Sequence, residues 1–183
     1  MIRLNFASTM VIVACLGLGA CSDKVPEIED GTHAPDSPPA AAATAASAQS
    51  VLGEWTGNIA DALQTELCAI DSVNGATAVD GRFEHTANQP VVFEGWASTS
   101  DLKRPERITL VLDGVSDYQV GGSTGVARED VANAYNSTAL ATAGYRVELA
   151  SLAVPAGDYG LTLTHEDGGK TVACTSKLTL SVK

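Results

Sequence analysis

The side chains of this 183-residue chain that could carry chemistry are four cysteines, three histidines and 22 carboxylates. Zinc-dependent hydrolysis needs two histidines one helical turn apart with a glutamate between them, so that both imidazoles meet one metal. His33, His85 and His165 are scattered and show no such spacing. His85 and His165 each stand beside a glutamate (Glu84, Glu166), and His165-Glu166-Asp167 runs into a turn, which predicts a solvated tip. No glycine loop is built to cradle a phosphate. Glycoside cleavage needs two carboxylates at a set separation; acids are abundant here, but their spacing singles out no pair. Asp71 and Asn74 ahead of Gly75 suit a turn shaped by side-chain-to-backbone hydrogen bonds. Calcium there would need six or more oxygens, more than these residues supply. The residue types therefore assign no catalytic group, no metal and no cofactor.

The meaning of the cysteines depends on the compartment, and the first twenty residues bear on that. Arg3 is the only charged residue before Cys21, and an apolar run from Met10 to Leu18 follows it. A basic start and a short apolar core read as a secretion signal, the core being shorter than the roughly 20 residues a spanning helix needs. The run closes with Leu18-Gly19-Ala20-Cys21, which resembles the lipobox of bacterial lipoproteins. The resemblance implies a signal peptide over residues 1–20, cleavage before Cys21, and palmitate-type acylation of the Cys21 thiol. Two or more acyl chains hold a protein stably at a bilayer, whereas one holds it marginally. Ser22, where an aspartate would favour inner-membrane retention, implies an outer-membrane address, facing either the periplasm or the surface.

Removing Cys15 with the signal and committing Cys21 to lipid leaves Cys68 and Cys174. In an oxidising envelope the expectation is one disulfide between them. A two-cysteine metal site is the alternative, and the neighbouring ligands that zinc would need are lacking. The formal net charge of −11 argues against nucleic acid or anionic lipid headgroups as partners, since both would be repelled.

Residues 21–50 read as a lipidated, Pro/Ala-rich flexible linker. Pro26, Pro35, Pro38 and Pro39 fall here with the alanine run from Ala40 to Ala48, and there is no aromatic residue. Such a stretch buries too little surface to offset its ordering entropy. As a coil it would span on the order of 30 Å.

Residues 51–183 are long enough for a core of their own. Leu52, Trp55, Ile59 and Leu63 recur near helical spacing, but Gly53 and Gly57 weaken a helix, so a short helix and its absence both stay open. Beyond this the period is two. Ile108, Leu110 and Leu112 share a parity, as do Tyr145, Val147 and Leu149, then Tyr159, Leu161 and Leu163, then Val172, Cys174, Leu178, Leu180 and Val182. Alternation with polar partners predicts half-buried antiparallel strands. Asp167-Gly168-Gly169 predicts a hairpin turn and Pro155-Ala156-Gly157-Asp158 another. The parity puts Cys174 inward, and Cys68 inward with Ile70. Gly121 to Gly144 breaks the pattern and reads as a long connection, with one or two helical turns over Arg128 to Tyr135. A loop-borne site is expected on that connection.

Three stretches resemble a recurrent bacterial cell-surface module: Ala69-Ile70-Asp71-Ser72-Val73-Asn74-Gly75, Phe93-Glu94-Gly95-Trp96-Ala97, and Ile108 to Asp113-Gly114. Gly125 to Val131, Gly144-Tyr145 and Gly157-Asp158-Tyr159 follow in the same order, so the likeness covers about residues 66–182. It implies an all-β, Ig-like antiparallel β-sandwich with one short helix in a long connection, and a module without assigned activity. The aspartate usual after Trp-Ala is replaced by Ala97-Ser98-Thr99-Ser100-Asp101, and the Cys68–Cys174 pair is not a general feature of the module. Trp96 suits an inter-sheet anchor or, less in keeping with a strand position, a sugar platform. Arg128 with Asp130 suits a staple of the long loop, with carboxylate recognition by Arg128 as the sharper reading. Trp96, Arg128, Asp130 and Tyr135 are thus the candidate binding residues. The function expected is a non-catalytic binding or accessory domain of the cell envelope, attached to membrane through the lipid anchor, with an envelope protein or glycan as partner. A small hydrolase using acidic residues and a purely structural envelope protein are the rival classes.

Overall fold

Strands that bury one face must lie beside one another, and the period-two segments do so. A computed structural model describes residues 50–183. The expected signal peptide and linker, residues 1–49, with Cys15, Cys21 and His33, lie outside the described residues. The strands are β1 (Leu52–Glu54), β2 (Leu63–Gln64), β3 (Cys68–Val73), β4 (Arg82–His85) and β5 (Val91–Ala97), then β6 (Arg107–Asp113), β7 (Tyr118–Val126), β8 (Gly144–Leu149), β9 (Gly157–Asp167) and β10 (Lys170–Val182). One short helix, α1 (Glu129–Ala134), lies between β7 and β8, as the residues from Arg128 to Tyr135 predict. The domain is all-β with that single α-helix among the described residues.

The strands form one curled sheet in the order β2-β10-β9-β6-β7-β8-β5-β3, with β1 added beside β7 and β4 beside β10. β7 carries the chain from one limb of the curl to the other. Its residues Tyr118 to Ser123 pair with β6, while Thr124 and Val126 pair with β8 across a register break. Gly125, at the break, has φ of +140°, a conformation open to glycine because it has no Cβ. The inward side chains of the two limbs meet in one core. Leu110, Leu112, Val120, Leu161, Leu163 and Leu180 come from the first limb, Val91, Phe93, Tyr145, Val147 and Leu149 from the second. Each such side chain contributes about 1.5–3 kcal/mol on burial.

The curl is not closed by hydrogen bonds: its terminal strands, β3 and β2, do not pair with each other. Cys68 on β3 is instead disulfide-bonded to Cys174 on β10, with the Cα atoms 6.2 Å apart. The bond ties the last strand of the second limb to the strand next to the end of the first, at the inward positions that the sequence parity predicts.

Two expectations are corrected and one open question is decided. The sheet is mixed rather than purely antiparallel, because β2 and β4 both run parallel to β10. β10 is 13 residues long and breaks register between Thr175 and Thr179, so its outer edge offers two separate short docking stretches. The stretch from Leu52 to Leu63 is not an α-helix; it forms β1, a 3-10 turn over Ile59–Asp61 capped by Asn58, and β2. The long connection begins after Val126 rather than at Gly121. The strand is masked in sequence because the inward position of β7 beside Ile108 is Gly122. A Cβ there would lie 2.5 Å from Val147, so the neighbours already fill the space a side chain would occupy.

Val111, Thr162 and Ala173 have outward parity on the first limb and are nonetheless buried. β1 lies beside β7 and β2 beside β10, at opposite edges of the first limb, so residues 55–62 join the two edges of that limb. The inner side is filled by core, which leaves the outer side for this strap.

Because the disulfide closes a loop spanning a sequence separation of 106 residues, its removal should be costly. Chain-entropy reasoning gives about 4.7 kcal/mol for a loop of that size, and removal from exported domains costs about 2–5 kcal/mol. The Cys68→Ala, Cys174→Ala double variant is expected to lose that much in urea unfolding; a loss below about 1 kcal/mol would show that the curl holds without it.

Candidate functional site

The connection from β7 to β8 folds back over the outer face of β5 and β8, and the four candidate binding residues gather on it. Trp96 is the outward residue between Gly95 and Ala97 on β5, yet it is only 9% exposed. Val131 and Ala132 of α1, with Leu140 and Ala143, form a small second core around it. Tyr135 lies at the C-terminal end of α1, its ring centroid 5.4 Å from that of Trp96 and tilted by 55°, and it remains 36% exposed. Trp96 therefore anchors the layer from beneath and holds Tyr135 at the surface. Its indole is not the open sugar platform of the alternative reading.

Arg128 precedes α1 and makes a forked pair with Asp130, at 2.9 Å from Nε and 2.8 Å from Nη2. Its Nη1 donates to Asp71 of β3 at 2.6 Å. Such bidentate geometry is the strong form of an arginine–carboxylate pair. The Arg128 bond holds the Asp130 carboxyl at a pKa of about 2, and the two acids push the guanidinium above its usual value. With both edges of the fork in use, Arg128 is a staple rather than a free receptor for a ligand carboxylate. Asp71 is the extra residue in a register shift of β3 against β5, between Ile70 and Ser72. A bulge re-aims a side chain; here it aims Asp71 at Arg128. The turn expected from Asp71 and Asn74 together is made by Asn74 and Gly75, both with positive φ, while the Asn74 amide oxygen accepts from Val92 N at 2.8 Å.

Two glycines let this network close. Gly95 lies under Tyr145, whose hydroxyl donates across it to Ala69 O at 3.0 Å; a Cβ on Gly95 would stand 2.0 Å from that same oxygen. Burial pushes the Tyr145 phenol well above its usual pKa, so it stays a neutral donor. Gly144 lies under the Arg128 stem, 2.8 Å from where its Cβ would be. Farther along the same outer face, Arg146 reaches Glu94 and Glu148, and Ser72 donates to Glu94 at 2.9 Å.

The histidines are placed differently from expectation. His85 is buried, with its ring within 3.4 Å of the Asn74 amide and 3.3 Å of Gln89 O. His165 is not a solvated tip. It shares the inward parity of Leu161 and Leu163, pairs with Val172, and is 5% exposed. Neither ring nitrogen has a hydrogen-bond partner among the described residues. The β9–β10 turn falls at Gly168-Gly169, where Asp167-Gly168-Gly169 predicts it, but β9 runs through His165 as far as Asp167 and carries the ring into the sheet. Among the described residues, no cluster of three or more His, Cys, Asp or Glu side chains is arranged to hold a metal ion.

No family model, curated protein or solved structure matches this chain.

Sequence reasoning missed one feature outright. The strap over the first limb borders an open depression of about 430 Å³ with Trp55, Asn58 and Asp61 on one side and Lys170 and Thr171 of β10 on the other. Gly57 is the signal that could have found it: a Cβ there would stand 2.4 Å from the Trp55 ring, so the glycine is the seat on which the indole rests.

His165 generates a pH prediction. Burial lowers its folded-state pKa, while Asp167 and Glu166 oppose that shift only in part. An unfolded-state histidine takes up a proton near pH 6.5, so below that pH the unfolded chain binds more protons than the folded one. Stability contributed by the neutral ring is present above about pH 6.5 and is lost as pH falls toward the depressed folded value. Urea midpoints should decline as pH falls below about 6.5, and His165→Leu should flatten that decline; an equal slope in the variant would contradict the assignment.

Proposed function

We propose that this chain is a lipid-anchored lipoprotein of the outer membrane whose domain, residues 51–183, is a non-catalytic binding or accessory module of the cell envelope. Acylation at Cys21, the spacer and the expected signal cleavage rest on the sequence resemblance to lipoproteins. In this reading the two limbs of the curled sheet are the layers of an Ig-like sandwich, and β7 is the strand that passes between them.

The observation that carries the non-catalytic reading is that four carboxylates are engaged by neighbouring donors: Asp130 by Arg128, Asp158 by Arg82, Glu84 by Lys183 and Asp167 by Ser100. Those bonds hold each carboxyl below its usual pKa, with Ser181 adding to the effect on Asp158. A glycosidase-type general acid needs its pKa raised by burial or a neighbouring charge. These four acids are ion-paired or hydrogen-bonded and shifted the other way, which favours structural and recognition roles over the hydrolase alternative.

The α1 layer supplies the binding face in this reading. It presents Tyr135 and the 45% exposed Val126 beside the Arg128 staple, on a connection fixed from below by Trp96. Rigid aromatic groups set in a polar surround dominate interface energetics, since little side-chain entropy is lost when a partner covers them. An envelope protein or glycan is the partner class.

The test joins the anchor to the face. Cys21→Ser is expected to move the protein from the membrane fraction to the soluble one. The released form should retain one stoichiometric envelope component on pull-down, with retention reduced about tenfold by Tyr135→Ala, the size typical of a hot-spot truncation of about 1.4 kcal/mol or more. Cleavage of peptidoglycan or glycan by the domain, with no component retained, would contradict it.

A further inference from the structure

We propose that the strap over the first limb carries a saccharide-binding subsite, built around Trp55, for one or two equatorially substituted pyranose units of a glycan chain. This goes beyond the reading above: it concerns the outer face of β9 and β10, remote in the sheet order from the α1 layer on β5 and β8, and stands on different residues.

The depression measures about 430 Å³, inside the range of roughly 300–1,000 Å³ usual for small-ligand sites. Its aromatic wall is preset. Trp55 donates its backbone N–H to Asp117 O at 2.9 Å, and its ring rests on Gly57, so one side of the indole is backed by chain and the remainder borders the depression. Leu63, 52% exposed on the edge strand β2, adds an aliphatic floor.

Polar groups of both kinds surround this apolar surface. Asn58 caps the 3-10 turn by accepting from Ala60 N at 3.0 Å, and donates to Asp61 Oδ2 at 2.9 Å. That bond fixes the Asp61 carboxylate and leaves its second oxygen as an acceptor. Thr171 donates to Glu166 at 2.8 Å, so its oxygen still has acceptor capacity. Lys170 is exposed, lines the depression and has no ion-pair partner among the described residues, which leaves three N–H donors.

A flat aromatic surface with fixed acceptors and a free ammonium at its rim matches the two-sided chemistry of a pyranose. Equatorial hydroxyls leave the ring faces as C–H surfaces that stack on an indole, while the hydroxyls at the edge both donate and accept. Other ligand classes fit less well. Asp61 repels a nucleic-acid backbone or a simple anion, Lys170 repels a cation, and a wholly apolar ligand would leave the polar rim desolvated.

The test uses the oxidised domain, residues 50–183, which holds its own core and its disulfide. Tryptophan emission is titrated with chitotetraose and, separately, with cellotetraose. A saturable change with either supports the subsite, and the better ligand tells whether N-acetyl groups are read. The change should persist in Trp96→Phe and vanish in Trp55→Phe, because Trp55 and Trp96 are the two tryptophans of the chain. By calorimetry, Trp55→Ala should weaken binding at least tenfold, with Asp61→Asn and Lys170→Gln each weakening it about threefold. No binding of either oligosaccharide by the folded domain, or undiminished binding by Trp55→Ala that keeps the wild-type circular dichroism, overturns the proposal. Either result leaves the partner retained through Tyr135 untouched, so the two readings fail separately.

Discussion

Closure of a curled sheet is the constraint from which the rest of this domain follows. A sheet can hide both its edges only by pairing its first and last strands, and here they do not pair. β10 spends one edge on β9 and stretches of the other on β2 and β4, at Val172–Ala173 and Thr179–Val182. Between those stretches no strand is added, and there Cys174 bonds to Cys68 of β3. One covalent link takes the place of a ladder of hydrogen bonds. The two limbs can then hold their leucines, valines and aromatics against each other without completing a barrel.

With the limbs fixed, the two outer faces become available for different purposes. Over β5 and β8 the α1 connection is laid down around Trp96 and stapled by Asp71, Arg128 and Asp130. Gly95 and Gly144 are required there because Tyr145 and the Arg128 stem pass directly over them. Residues that in sequence look like a signature for ligand recognition mostly form a single mechanical unit, with Tyr135 as its exposed member. On the first limb the outward-parity residues Val111 and Thr162 are buried, and the strap from Trp55 to Ala62 borders a depression that no motif marks.

The legibility of these features follows the physics of each. β6, β8, β9 and β10 could be read because a leucine or valine recurs at every second residue, which is what a half-buried strand needs. β7 could be read only incompletely, since its inward position at Gly122 is filled by Val147 and Ile108 from neighbouring strands. The inward placement of Cys174 followed from parity, but parallel pairing of β2 and β4 with β10 did not, because two- and four-residue strands carry no directional signal. His165 reads as surface because its neighbours are acidic; burial of an unpartnered imidazole is a property of β9 continuing inward, which local composition does not reveal. Arg128 with Asp130 was legible as a staple from proximity alone, whereas Asp71, 57 residues away, was not.

The central claim, that the Cys68–Cys174 bond closes the curl, is tested most directly by native-state hydrogen exchange on the oxidised and the reduced domain. Reduction is expected to lower protection selectively in β3 and in β10 from Val172 to Leu178, while β6 and the paired stretch of β9 keep theirs. Equal protection in the two forms would show that the limbs hold each other without the bond, and uniform loss across all strands would show that the bond acts on the whole fold rather than on its closure.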